Sequence, residues 1–435
     1  MKVLDTEKNI GIEVFYTPYD GIQGKLRKKP EDFVVRENSI YPDKKTNGKF
    51  TIAEVTSTNW ETNTLIRELS KRLHISRQRI SFAGTKDKRA KTTQLMSFYN
   101  VSIEKLLSVK IKEVEIKNVY LSDKKINMGS LRGNSFKIIV RDINEQNIGN
   151  IEKIAQMLLD AGGFPNFYGI QRFGIVRPTT HIVGRYLVKG DFEKAVMSYI
   201  ANPVSGEDEK ISFLRKKLEE TKDYVDALKH FPDVLNFEKA ILNKLVVNPW
   251  DFVSALKELP KNLLTMFIYA YQAYLFNRIL SERIRRKLPI SQAVEGDIVI
   301  PYRNGVFGEE YIHVTSENIE KVNTQIRKGK AFISGLLVGS DSVFADGEMG
   351  EIEHRIIEAE KIDTRDFIIP EIPFISSSGS RRPLLAVLKN FSYRVIDDVW
   401  DTNKKAVSFE FTLLKGCYAT SLLREFMKAD EIKNY

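Results

Sequence analysis

The sequence predicts an α+β fold, a mixed or antiparallel sheet flanked by helices, on a chain long enough to hold more than one domain. Strand-like and helical patterns alternate along it, but too irregularly for a doubly wound parallel sheet. With 435 residues, 42% of them apolar, it can bury two or three cores at roughly 150 residues per domain. Beyond Pro165 the character changes, and residues 189–261 become charged and helical.

The elements follow in order. Residues 32–37 and 49–55 are short, β-branched and partly alternating, as half-buried strands are. Residues 61–73 are helical: Leu65, Ile66, Leu69 and Leu73 share one face, and Arg67, Lys71 and Arg72 populate the rest. Residues 79–82 read as a strand running into Gly84, and 92–99, 111–121 and 135–140 continue the strand pattern. A helix over 151–159 is stopped by Gly162, Gly163 and Pro165. Residues 263–279 form an apolar helix in which Leu264, Phe267, Ile268, Tyr271, Leu275 and Ile279 keep core spacing. The stretch 338–350 is loop-rich, and its acids miss the calcium-loop spacing. A strand over 406–414 and a helix over 419–427 close the chain.

Charge narrows the partners. The net charge is +10, and residues 61–91 alone carry nine basic side chains against three acids, so a polyanion such as RNA or DNA is expected; a membrane is not. The N-terminus shows no apolar signal region, and no apolar run reaches the ~18 residues of a spanning helix. A single cysteine, Cys417, suits a reducing cytoplasm. Five scattered histidines give no zinc spacing, and no dinucleotide or P-loop glycine motif is present, so neither metal nor cofactor is expected.

The octapeptide Ala83-Gly84-Thr85-Lys86-Asp87-Lys88-Arg89-Ala90 sets one carboxylate among three cations. Two readings stand: a solvated turn, or a reactive Asp87 kept ionised by cations that also hold phosphates.

Several separated motifs decide between them. In order stand Lys29-Pro30-Glu31-Asp32-Phe33-Val34-Val35, Ser81-Phe82-Ala83-Gly84-Thr85-Lys86-Asp87, Leu131-Arg132-Gly133-Asn134-Ser135-Phe136, Pro165-Asn166-Phe167-Tyr168-Gly169-Ile170-Gln171-Arg172-Phe173-Gly174 and Ala419-Thr420-Ser421-Leu422-Leu423-Arg424-Glu425. As an ordered set they resemble the TruD-type tRNA pseudouridine synthases; residues 185–263 carry no matching motif. The resemblance implies a pseudouridine synthase-type mixed sheet flanked by helices and built from both chain ends, 1–164 and 384–435, with a second α/β domain inserted at 165–383. It implies an isomerase acting on tRNA, at uridine 13, with other structured RNA as a further substrate class; oligomeric state is not legible in the sequence, and a monomer is the expectation. A non-catalytic RNA-binding or chaperone protein on the same fold is the alternative.

The resemblance also assigns residues. Asp87 matches the essential acid, which attacks the sugar or removes its C2′ proton. Arg27 stands where the bacterial pattern usually has lysine, suited to a bidentate hold on Asp87 or to a phosphate, with Lys28 and Lys29 as rivals. Phe136 matches an aromatic face for the uracil, or is a strand core residue, and Asn134 a hydrogen-bonding neighbour of acid or ribose. Asn166, Gln171, Arg172 and Phe173 match a base-binding segment, unless Gly169 and Gly174 make that segment a hinge. Phosphate contacts are expected from Lys86, Lys88, Arg89, Lys91, Arg77 and Arg79.

Overall fold

A computed structural model describes residues 2–204, 206–303 and 305–435. The chain divides into two compact units, the first made of Tyr16–Phe164 and Ala386–Tyr435, the second of Lys2–Phe15 and Pro165–Leu385.

The first unit is built on one eight-stranded sheet. Its strands are β1 (Phe33–Ser39), β2 (Phe50–Thr58), β3 (Ile80–Phe82), β4 (Lys91–Tyr99), β5 (Val114–Ser122), β6 (Leu131–Ile143) and two C-terminal strands, Lys389–Asp397 and Lys405–Leu414. The order is Lys389–Asp397, Lys405–Leu414, β6, β1, β4, β2, β5, with β3 on β4, and β1–β4 is the parallel pair in an otherwise antiparallel sheet. Helices pack on it in two places. Ile138, Val140, Phe409 and Phe411 pack with Ile154 and Leu158 of the helix Ile151–Asp160 and with Leu422 and Phe426 of the helix Ala419–Met427. Leu65, Leu69 and Leu73 of the helix Thr62–Leu73 pack on Val55, Met96 and Phe98. Each such side chain contributes roughly 1.5–3 kcal/mol on burial.

Buried charge ties the two ends of the sequence into this unit. Arg141 donates from Nε and NH2 to both oxygens of Asp32 (2.9 and 2.7 Å) and from NH1 to Asp398 (3.2 Å), pinning the turn just before β1. Glu425 accepts from the backbone N–H of Tyr16 and Thr17 and from the Thr17 hydroxyl. Lys428 donates to the carbonyls of Thr17 (2.6 Å) and Tyr19 (2.5 Å), and burial pulls its ammonium pKa down to about 8.

The second unit centres on the 25-residue helix Lys261–Arg285, longer at both ends than its apolar run. Beside it lies a five-stranded antiparallel sheet in the order Ile312–His313, Ile298–Arg303, Ala331–Leu337, Ser380–Pro383, with Val306–Phe307 on Ile298–Arg303. The expected loop 338–350 is shorter than its composition suggests, because Gly347, at φ +54°, opens the helix Gly347–Glu360. The segment Lys2–Phe15, expected with the first domain, belongs here instead: Asn277 donates to the Ile10 carbonyl (2.9 Å) and Ser281 to that of Gly11 (2.9 Å). Among the described residues no helix is long and apolar enough to cross a membrane, and no cluster of His, Cys, Asp or Glu could hold a metal ion.

Candidate active site

The site in the first unit grows from strand register. In an antiparallel pair, opposed residues share a face. Val35 opposes Phe136 and Glu37 opposes Asn134, while across β6 Phe136 opposes Phe411. Phe136 is half-buried, stacked on Phe411 at 5.2 Å and edge-on to Phe33 at 6.4 Å. Phe136 thus packs on the core as a strand residue and keeps part of its surface exposed. The Asn134 Oδ1 atom is buried with no hydrogen-bond partner among the described residues, an acceptor costly to leave unsatisfied.

The loop 83–90 leaves β3 and returns as β4. It is clamped at several points: the Ala83 carbonyl accepts from Gly129 N–H (2.7 Å), Lys86 N–H donates to the Thr62 hydroxyl (2.7 Å), and the Ala90 carbonyl accepts from Asn59 N–H (3.0 Å). Asp87 sits between these clamps with 55% of its side chain exposed. Its Oδ2 accepts from Arg27 NH2 at 2.7 Å. Arg27 is itself held: its backbone lies at φ +56°, its guanidinium sits 4.2 Å from the Phe33 ring centroid, and its carbonyl accepts from Arg89 (3.0 Å).

This geometry corrects three expectations. Arg27, the residue matched there ahead of Lys28 and Lys29, meets the acid, but through one hydrogen bond rather than a bidentate pair, and its Nε is buried without a partner among the described residues. Lys86 does not face Asp87; it turns inward to Glu37 at 2.7 Å, with side chains 7% and 0% exposed, and Ser39 donates to the other Glu37 oxygen (2.6 Å). Lys86 is thus a buried counter-ion, unavailable to a phosphate. Arg79 likewise donates to the carbonyls of Tyr99 and Asn100, capping a strand end. Arg77, Lys88, Arg89 and Lys91 are exposed, as are Arg67 and Lys71 on the helix whose first residue, Thr62, meets the loop.

Glu37 was the residue least legible as part of this assembly, although its parity marks it: it alternates with Phe33 and Val35 on the buried face, where an acid needs a partner. Phe33, the platform under Arg27, carried no signal beyond its place in the motif.

In the second unit Asn166 is buried, donating to the Pro383 carbonyl (2.9 Å) and accepting from Arg382 (2.7 Å). The Phe173 ring is fully buried, edge-on to His181 at 5.3 Å, which leaves no open face for a base; both residues, expected at the substrate, are interior here. Arg172 and Gln171 lie half-buried on a short 3-10 turn, and the Arg172 guanidinium stands 5.8 Å from the Tyr168 ring and 5.7 Å from the Tyr269 ring. Of the two glycines, Gly174 is the constrained one: at φ +103°, a Cβ would lie 2.4 Å from the Arg177 carbonyl.

Comparison with known proteins places this architecture. The crystal structure of the TruD protein from Methanosarcina mazei superposes with a TM-score of 0.89 at 39% identity, covering 100% of both chains. The fold is therefore that of an RNA-modifying isomerase of the pseudouridine synthase class. The model of the family described as tRNA pseudouridine synthase D (TruD) matches residues 9–426. Proteins named "Probable tRNA pseudouridine synthase D" from Methanococcoides burtonii and Methanosarcina acetivorans are each 41% identical, over 436 and 439 residues, covering 99% and 100% of this chain and 99% of each relative. The chain belongs to the tRNA pseudouridine synthase D family. These matches run through 185–263 as well, where no motif was legible.

Proposed function

We propose that the protein converts uridine 13 of tRNA to pseudouridine, with Asp87 as the essential carboxylate and the first unit as the catalytic domain, its two sequence halves separated by the inserted Pro165–Leu385. The observation that carries this reading is the Arg27–Asp87 pair. Among the described residues Arg27 engages only Oδ2, so a fixed, half-exposed carboxylate keeps Oδ1 for a substrate.

The reaction breaks N1–C1′, turns the uracil and joins C5 to C1′, with no atom gained or lost, so it calls for no redox or group donor. Asp87 can enter in two ways. As a nucleophile, Oδ1 bonds to C1′ while N1 leaves, and C5 later displaces the carboxylate before losing its proton. As a base, it takes the C2′ proton as N1 leaves and returns it to C2′ as C5 bonds to C1′, after which C5 loses its own proton. In both, Arg27 aims the carboxylate and stabilises its charge. Phe136 offers an aromatic surface to the uracil, and the unsatisfied Asn134 Oδ1 suits its N3–H or a ribose hydroxyl. A stacked uridine must first leave its helix at a cost of a few kcal/mol. Phosphate contacts from Arg77, Lys88, Arg89, Lys91 and the exposed cations of Thr62–Leu73 offset this. Arg172 and Gln171 are proposed to contact the same RNA.

The test is an unmodified tRNA transcript incubated with purified protein and no donor, followed by mapping of pseudouridine. Conversion at uridine 13 is the expected result. Tight binding without any pseudouridine would favour the chaperone reading.

A further inference from the structure

We infer that Met128 is a positioning residue for the reaction: an apolar wedge that enters the base stack of the RNA and fills the place the target uridine leaves. The inference rests on the tRNA reading above.

The loop between β5 and β6 presents this side chain in a constrained way. Ser130 N–H donates to the Asn127 carbonyl (3.0 Å), closing a four-residue turn in which Gly129, third in the turn, lies at φ +81°. That is the type II pattern, where the third position wants glycine, and it puts Met128 at the apex. Both shoulders are anchored: Ile126 (2% exposed) and Leu131 (9%) are buried in one cluster with Ile52, Ala83 and Leu95, and Ile126 N–H donates to the Ser97 hydroxyl (3.0 Å). Met128, between them, is 68% exposed. The pinned turn thus holds a large apolar side chain mostly in solvent.

Its position gives the exposure a use. The Gly129 N–H is bonded to the Ala83 carbonyl, the point where β3 passes into the Asp87 loop, and the Ser130 carbonyl accepts from the backbone N–H of Ile40 (3.3 Å), a second exposed apolar residue tied to the same turn. Lys125 and Arg132 flank the turn and are exposed, so the apolar tip sits in a setting that attracts phosphates. An unbranched thioether on a rigid turn beside a reactive loop suits insertion between base steps, where its polarisable surface replaces the lost stacking. By holding the gap open, Met128 lengthens the time the uridine spends extruded next to Asp87.

The experiment compares Met128→Ala and Met128→Leu on two substrates, a folded tRNA transcript and a short single-stranded RNA containing the same uridine. A fluorescent 2-aminopurine next to that uridine reports unstacking. Met128→Ala is expected to lower kcat on the folded tRNA by about tenfold to a hundredfold while KM stays within about twofold. It should also lose the fluorescence rise on binding and convert the single strand at the wild-type rate; Met128→Leu should restore both signals. Wild-type kcat and fluorescence rise for Met128→Ala on the folded substrate, or an equal loss on both substrates, would overturn the wedge. If the wild-type protein made no pseudouridine in the transcript, the proposed function itself would have failed, a result distinct from failure of the wedge.

Discussion

Two neighbouring residues of one loop form ion pairs that differ in nearly every physical respect. Lys86 turns into the sheet and meets Glu37 with both side chains almost fully removed from water, and both Glu37 oxygens are engaged. Asp87 turns outward, stays 55% exposed, and gives one oxygen to an arginine that is itself half-buried and stacked on Phe33. The first pair is complete, so it can only hold structure. The second is fixed and incomplete, so it has capacity left for a substrate. Sequence adjacency hid this contrast, because the cations around Asp87 read as a single charged ring.

The widest separation between the pairs should come from removing the outward acid. Asp87→Ala is expected to lower pseudouridine formation by about 10²–10⁴-fold with Tm within a degree or two of wild type, checked by initial rates and thermal unfolding of the same sample. Breaking the inward pair should do the reverse. Lys86→Met alone leaves a buried, uncompensated carboxylate and should cost about 3–5 kcal/mol in denaturant unfolding, whereas Lys86→Met with Glu37→Gln should recover most of it. Equal losses in the single and double variants would contradict the structural reading of the pair.

His181 is buried without an ionic partner among the described residues. Burial pushes the His181 pKa down to about 4 from an ordinary 6.5. The unfolded chain therefore binds a proton between those values that the folded chain refuses, and stability falls as pH drops from 6.5 towards 4, by about 3 kcal/mol. His181→Phe should flatten that slope, read by unfolding at pH 7 and pH 4.5. Smaller effects belong to the outward pair's support. Arg27→Lys keeps the charge but loses the planar contact over Phe33, and should lower kcat about tenfold with little change in tRNA affinity. Lys88→Ala should leave chemistry intact and reduce the salt dependence of binding by about one phosphate.

Much of the fold was legible. The alternation in 32–37 and 406–414 and the 3.6-residue spacing in 61–73 produced strands and a helix within a few residues of the observed bounds, since local burial patterns are written in adjacent side chains. Ile298–Arg303 and Ala331–Leu337 escaped because a strand buried on both faces shows no alternation, and Lys2–Phe15 joins the second unit through backbone carbonyls, which no side chain announces. At the site, residue types were readable and directions were not. Arg27 and Asp87 could be paired from the motifs, but the inward turn of Lys86 depends on the Thr62 hydroxyl holding its backbone and on the parity of Glu37 two strands away. The interior places of Asn166 and Phe173 depend on partners more than 200 and only eight residues distant, Pro383 and His181, that no local pattern links to them.

The measurement that bears most directly on the central claim pairs binding with single-turnover chemistry in one variant. Asp87→Asn removes the carboxylate charge while keeping its shape, so a wild-type Kd for the tRNA transcript and no pseudouridine at uridine 13 after many wild-type half-times are expected. Full conversion by Asp87→Asn would contradict that claim.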